Sequence, residues 1–356
     1  MTDLKRAAIF DPYLDTLGGG ERYCLTLAEF LARGGWQVDV FWPDGKIRKA
    51  LTLRFNLDLD KVNFVPLPEN TVDKVLKMRR YDFLFWLSDG SIPFSLSKNS
   101  LLHFQVPFQR VNGKSILNQL KLKRIKSIVC NSQFTKKFID KEFGVCSKVI
   151  HPPVDVASFR PGEKENLILS VGRFSQLLQA KRQDVLVSAF KKLCDQGLTS
   201  WQLVIAGATG VGGEEYFKKL KEQSANYPIK LLTNLPFDEL KKIYEKSKIF
   251  WFASGFGINE DLEPEKVEHF GMVVVEAMAA GLVPVVVGKG GIGEIINEGE
   301  NGFFFKDEDD LVKKTKELIA FSQDLSRISK EAIKSSKNFS KERFCQEFNK
   351  IIKLRV

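Results

Sequence analysis

The residues best placed to do chemistry lie between Glu265 and Glu294, in EKVEHFGMVVVEAMAAGLVPVVVGKGGIGE. A carboxylate-rich loop runs into Gly271, an apolar stretch follows, and Gly281 separates that stretch from the run Val283-Pro284-Val285-Val286-Val287. This order predicts loop, helix, turn and buried parallel strand. With Gly271 at the helix start, the backbone N–H groups of Met272 and Val273 lack intrahelical acceptors and can face an anion such as a diphosphate. Glu268 precedes the helix and Glu276 falls inside it, with seven residues between them. A carboxylate in so apolar a segment needs hydrogen-bond donors, and sugar hydroxyls are such donors. Gly288 to Gly293, with Glu294 after them, repeat the arrangement one strand later. Taken singly, each feature also fits an ordinary strand-to-helix turn around a satisfied buried glutamate.

Positioning such a site requires parallel sheets, and 356 residues suffice for two domains of about 150 to 200 residues. Ala7 to Phe10, a helix from Glu21 to Arg33 and Gln37 to Phe41 read as a βαβ unit with Gly18, Gly19 and Gly20 at its first turn. That turn has neither the dinucleotide G-x-G-x-x-G spacing nor a P-loop G-K-[ST] ending, which argues against a dehydrogenase or an NTPase. Val62 to Pro66, Phe83 to Trp86, Ser100 to Phe104 and Ser127 to Asn131 are further strand candidates. The proline-rich stretch from His151 to Pro161 reads as a linker. Leu167 to Arg173 opens a second α/β domain, continued by strands at Trp201 to Ala206, Lys230 to Leu232, Ile249 to Ala253 and Val283 to Val287. Such apolar runs without alternation suit strands covered on both faces. Lys341 to Leu354 is patterned as an amphipathic helix.

The combination E-x-F-G, VVVEAMAAG and a downstream GG-x-x-E, together with GGGER after a first strand, resembles the family 4 (group 1) glycosyltransferases. The resemblance covers nearly the whole chain and implies the GT-B fold: two facing Rossmann-like domains with parallel sheets and a C-terminal helix crossing back to the first. The expected boundaries are 1–155 plus 339–356 for an acceptor domain and 156–338 for a nucleotide-sugar donor domain. It implies a retaining enzyme whose leaving phosphate takes the acceptor proton on the same face, so no protein nucleophile is required. Arg173 and Lys181 would bind the diphosphate, Glu268 the transferred sugar and Glu276 the ribose. Gly207 would lie beside the base, His103 would be an active-site histidine, and Gly19 and Gly20 would border the donor phosphate. His269, Phe270, Gly271, Met272 and Val273 complete the expected donor site. Arg182 directly follows Lys181, and Glu260, Glu263 and Glu265 compete with Glu268 for a carboxylate role. The E-H-F-G variant with GGGER is similar to mannosyltransferases of lipid-linked oligosaccharide assembly, which tilts the donor toward GDP-mannose. A nucleotide-sugar epimerase of the same fold is the nearest rival.

The apolar fraction of 44 % indicates a globular protein, and Met1 to Arg6 lead straight into a strand-like segment with no signal-peptide pattern. Five scattered cysteines without a C-x-x-C pair fit a reducing cytoplasm. Neither a metal nor another cofactor is expected; Asp58 and Asp60 form an isolated D-x-D. The formal net charge is +10, yet no nucleic-acid-binding module is recognisable. From Arg110 to Lys148 ten cations face two acids, and Ile116 to Ile128 mixes leucine and isoleucine with lysine as an amphipathic surface helix would. The expected partners are therefore a nucleotide sugar, a glycan or lipid-linked acceptor and an anionic membrane surface on its cytoplasmic side.

Overall fold

The computed structural model describes residues 5–352 apart from 69, 98, 178 and 211. The outermost residues of the expected domains, 1–4 and 353–356, lie outside the described residues, as does Leu178 of the segment before Lys181. The chain divides into two compact units, one running to Pro153 and resuming at Lys341, the other spanning Val154–Ser340. The boundary sits at Val154 because this residue bridges to Ser340 within the second unit.

Unit 1 contains strands β1 (Arg6–Phe10), β2 (Gln37–Phe41), β3 (Val62–Val65), β4 (Phe83–Leu87), β5 (Ser100–Phe104), β6 (Ser127–Cys130) and β7 (Lys148–Val149). All pair in parallel, in the order β3-β2-β1-β4-β5-β6-β7. Its helices are α1 (Gly19–Arg33), α2 (Ile47–Phe55), α3 (Thr71–Met78), α4 (Ile116–Leu122) and α5 (Gln133–Phe143). Unit 2 contains β8 (Leu167–Val171), β9 (Gln202–Gly207), β10 (Ile229–Thr233), β11 (Ile249–Phe252), β12 (Val283–Val286) and β13 (Phe303–Phe304). These are also parallel, in the order β10-β9-β8-β11-β12-β13. Helices α6 (Gln183–Asp195), α7 (Glu214–Gln223), α8 (Phe237–Lys246), α9 (Met272–Ala279), α10 (Glu308–Ala320) and α11 (Ser322–Ser336) surround it, and α12 (Lys341–Ile352) returns to unit 1. Each sheet reverses its winding once, between β1 and β4 and between β8 and β11. In such sheets ligands bind beyond the carboxyl ends of the strands at the reversal.

Two expected helices have different limits. The helix after the triple glycine begins at Gly19 rather than Glu21, because the Glu21 carboxylate reaches back to the Gly18 N–H in a capping box. The surface helix expected over 116–128 stops at Leu122: Ile125 turns into the core, and Ser127–Cys130 pair with β5 as a strand. The short strands β7 and β13, two residues each, escaped the sequence reading.

Helix α12 is held in unit 1 by aromatics. Phe344 and Phe348 are buried and meet the Tyr23 ring edge-on, with centroids at 4.8 and 5.8 Å. Phe348 also lies 6.2 Å from Phe85 of β4. Truncating so enclosed an aromatic side chain costs about 3–5 kcal/mol. Phe348→Ala should therefore lower the urea midpoint of unit 1 unfolding clearly, while substitution of the exposed Arg343 by Ala should barely move it.

Candidate active site

The site in unit 2 is built on backbone approaches that only glycine permits. A Cβ at Gly290 would stand 2.0 Å from the Glu268 carbonyl oxygen, and one at Gly291 would stand 2.2 Å from that of His269. The Gly291 N–H donates to the Glu268 carbonyl at 2.9 Å. Gly271, with φ of +107°, caps α9 in a conformation that side chains disfavour, and a Cβ there would lie 2.4 Å from Ile292 Cδ1. The segment from Glu268 to Gly271 is thus seated on the turn after β12. At the end of β8 the same device recurs: a Cβ at Gly207 would lie 2.0 Å from the Gly172 carbonyl oxygen, and one at Gly172 would lie 2.8 Å from Lys181 Cγ.

These contacts bring Lys181 and Glu268 together. Lys181 Nζ donates to Glu268 Oε2 at 2.6 Å, with the two side chains 14 % and 17 % exposed. Burial pushes the Glu268 carboxyl up, but Lys181, with smaller help from His269 and Arg173, outweighs it and holds the carboxyl below its ordinary value. Arg173 itself is exposed at the end of β8. Lys181 and Arg182 divide their labour: Arg182 pairs with Asp184 at 2.9 Å and donates to the Phe256 carbonyl at 3.1 Å. Among the rival carboxylates, Glu260 accepts the Gly290 N–H at 2.6 Å and Glu263 pairs with Lys266.

Met272 and Val273 open α9, partly exposed, and their N–H groups have no hydrogen-bond acceptor among the described residues. No acid occupies the first turn of α9. This end of the helix can therefore receive an anion. Glu276 is 6 % exposed, and Tyr244 Oη donates to its Oε2 at 3.3 Å. His269 is buried, its Nδ1 held 3.0 Å from Gln179 Nε2. Sequence reasoning missed Gln179, Tyr244 and the role of Glu260, since contacts across loops leave no periodic signal.

Three of the expected site residues make close packing contacts. Phe270 is buried against Phe339, with ring centroids at 5.4 Å, which anchors the loop. The glycine at 207 is required by the Gly172 carbonyl. In unit 1, His103 is wholly buried in β5, stacked on Tyr23 at 3.9 Å with Nδ1 3.1 Å from the Val129 carbonyl oxygen. Burial depresses its pKa to about 3, so the ring is neutral and no atom of it reaches solvent. The first turn of α1, where Gly19 and Gly20 were expected to border phosphate, already holds the Glu21 carboxylate on the Gly18 N–H.

Residues 154–335 match the model of the glycosyl transferases group 1 family, and residues 17–158 match that of glycosyltransferase family 4. The chain belongs to the group 1 glycosyltransferases. Among relatives of this family, the GDP-Man:Man(3)GlcNAc(2)-PP-Dol alpha-1,2-mannosyltransferase of Dictyostelium discoideum is 25 % identical over 248 residues, covering 64 % of this chain and 47 % of that one. The Homo sapiens enzyme of the same name is 27 % identical over 243 residues, covering 61 % and 46 %. The chain thus spans about half the length of these curated relatives. The group 1 architecture is also that of solved structures. A glycosyltransferase from Rickettsia africae ESF-5 superposes with a TM-score of 0.80 at 19 % identity, covering 99 % of this chain and 98 % of that one. Anabaena HepE in complex with UDP-glucose gives 0.74 at 17 %, covering 98 % and 99 %.

The Lys181–Glu268 pair has a pH signature. Because the folded-state pKa of Glu268 lies below its ordinary 4.5, the unfolded chain binds the extra proton, and the stabilisation is complete above that value and lost as pH falls through the folded one. Glu268→Gln should lower the thermal midpoint at pH 7, and the gap from the parent should close as the pH falls below about 4.5. A gap that stays constant with pH would show that Glu268 contributes through shape alone.

Proposed function

We propose that this group 1 glycosyltransferase moves a mannosyl residue from GDP-mannose to a lipid-linked glycan with retention of configuration. The observation that carries the reading is the Lys181–Glu268 pair set beside the unfilled N-terminus of α9. Arg173, Lys181 and the N–H groups of Met272 and Val273 would stabilise the charge that develops on the departing diphosphate. Glu268 would accept a hydroxyl of the transferred sugar, and Glu276 those of the ribose. The glycosidic bond to the diphosphate breaks as the acceptor oxygen bonds to the anomeric carbon, and a phosphate oxygen on the same face takes the acceptor proton. This chemistry needs neither a protein nucleophile nor a metal. Support for mannose and a lipid-linked glycan comes from the names of the curated relatives. Arg173→Ala and Glu276→Ala should each lower kcat/KM at least ten-fold, since a charge-assisted contact is worth about 1.5–3 kcal/mol. Activity should persist in EDTA, and thermal shift should single out GDP among nucleoside diphosphates. Wild-type rates in both variants would overturn the site.

The acceptor reading extends to a membrane face. Ile116, Leu117 and Leu120 of α4 are 82 %, 63 % and 57 % exposed, and Lys114, Lys123, Arg124 and Lys126 are exposed around them. No helix among the described residues is long and apolar enough to cross a membrane. An amphipathic helix with this composition lies in the interface of an anionic bilayer, where each cation contributes about 1 kcal/mol. The protein should co-sediment with phosphatidylserine-containing vesicles and not with phosphatidylcholine alone, and both salt and a Leu117→Glu, Leu120→Glu double substitution should release it. Equal recovery with both vesicle types would sink the membrane face.

A further inference from the structure

Two loops of unit 2 meet at two neighbouring points. Lys181 reaches Glu268, and two residues earlier Gln179 reaches His269, its Nε2 lying 3.0 Å from the imidazole Nδ1. The loop that carries both side chains is fixed at its start by Phe174, which is wholly buried and bridges to Thr209, and at its end by the Lys181 stem against Gly172. Between these anchors Gln176 and Leu177 are exposed, and Gln179 ties the stretch to the loop before α9. Gln179 adopts a φ of +59°, in the left-handed region that a residue with a Cβ enters at a cost. Such a conformation persists where other contacts hold it. The contact also fixes the ring chemistry of the buried His269. An amide nitrogen only donates, so the Nδ1 that faces it is the bare nitrogen, and the ring proton sits on Nε2. His103 shows the opposite case: its Nδ1 faces the Val129 carbonyl oxygen, which only accepts, so its proton sits on Nδ1.

We propose that Gln179 is a positioning residue for sugar transfer: it holds His269 as the neutral Nε2–H tautomer and joins the loop before α6 to the loop before α9, so that Lys181 is the cation that holds Glu268. Electrostatics give the first reason. Glu268 lies within electrostatic reach of the His269 ring as well as of Lys181 and Arg173. A charged imidazole beside it would compete with Lys181 for the same carboxylate and leave less of its charge for a sugar hydroxyl. An amide donating to Nδ1 keeps the ring neutral without adding a charge of its own. Geometry gives the second reason. The glycine contacts fix the loop of Glu268 and His269, and the Gln179 contact then holds the loop of Lys181 to it in register, where a single ion pair would let that loop pivot. The inference rests on the reading of Glu268 as the residue that meets the transferred sugar.

The test combines long-range proton–nitrogen NMR of the full chain, carrying isotope-labelled histidine, with steady-state kinetics on GDP-mannose. The chain has 3 histidines, and His269→Asn assigns the signal of interest. At about pH 8, above the ordinary imidazole pKa of about 6.5, His269 should appear as the neutral Nε2–H form and His103 as the Nδ1–H form. Gln179→Met, similar in length but unable to donate, should release the tautomer preference and lower kcat/KM at least about ten-fold, while the thermal shift with GDP, which carries no sugar, stays unchanged. Gln179→Glu keeps the reach but only accepts, so it should draw the proton to Nδ1 and be impaired as much as Gln179→Met although the loops stay joined. A parent His269 with its proton on Nδ1, or a Gln179→Glu variant as active as the parent, overturns the proposal. So does parent-like kcat/KM in Gln179→Met, or a GDP shift lost in step with activity, which would make Gln179 a structural residue of the loop. A parent that shows the Nε2–H form but transfers no mannose would sink the donor reading and leave the tautomer assignment standing.

Discussion

Glu268 stands where it does because two backbones touch. The carbonyl oxygens of Glu268 and His269 lie where the Cβ atoms of Gly290 and Gly291 would otherwise be. The close approach fixes the carboxylate-bearing loop to the turn after β12 more rigidly than side-chain contacts could, since no rotamer intervenes. The same constraint operates at Gly172 and Gly207, where backbone contact between the ends of β8 and β9 leaves a slot for the Lys181 stem. Any side chain at these glycines would shift one partner of the 2.6 Å ion pair. The glycines therefore act on the chemistry through distance, although none of them carries a functional group.

The ion pair they position is not a strong source of stability. Taking an ammonium and a carboxylate out of water costs several kcal/mol per ion, and the attraction roughly offsets it. What the pair supplies is a fixed orientation for two charges that would otherwise wander. The acidic loop before Glu268 follows the same logic, although its composition suggests surplus charge. Glu260 holds the Gly290 N–H, Glu263 holds Lys266, and Arg182 ties the Phe256 carbonyl to Asp184. Each of these charges has an assigned partner, and the carboxylate facing Lys181 is the one whose loop is clamped by glycine.

Much of this was legible in the sequence because it rests on local signals. Apolar runs bounded by glycine mark the central strands of both sheets, and Gly271 before VVVEAMAA marks α9. What stayed illegible depends on which atoms meet across loops. His103 looked like a strand-end group, but all five residues of β5 are buried because the strand is central and covered on both faces. The first position free of the sheet is Gln105, two residues on, and no composition rule separates the two. Phe270 and Gly207 make packing contacts that their motif positions alone do not reveal. The Lys181 and Arg182 doublet was ambiguous for the same reason, and Asp184 resolves it only in three dimensions.

The two glycine turns that look alike in sequence differ in one decisive respect. Both α1 and α9 begin after glycine, and both present the positive end of a helix dipole beyond a parallel strand. At α1 the chain supplies its own acceptor: the Glu21 carboxylate takes the Gly18 N–H. At α9 the first turn carries no acid, and the nearest carboxylate, Glu268, is neutralised by Lys181. The difference depends on whether a glutamate follows the glycines and where a lysine reaches, so two residues separate the chemistry of units whose sheets follow the same plan.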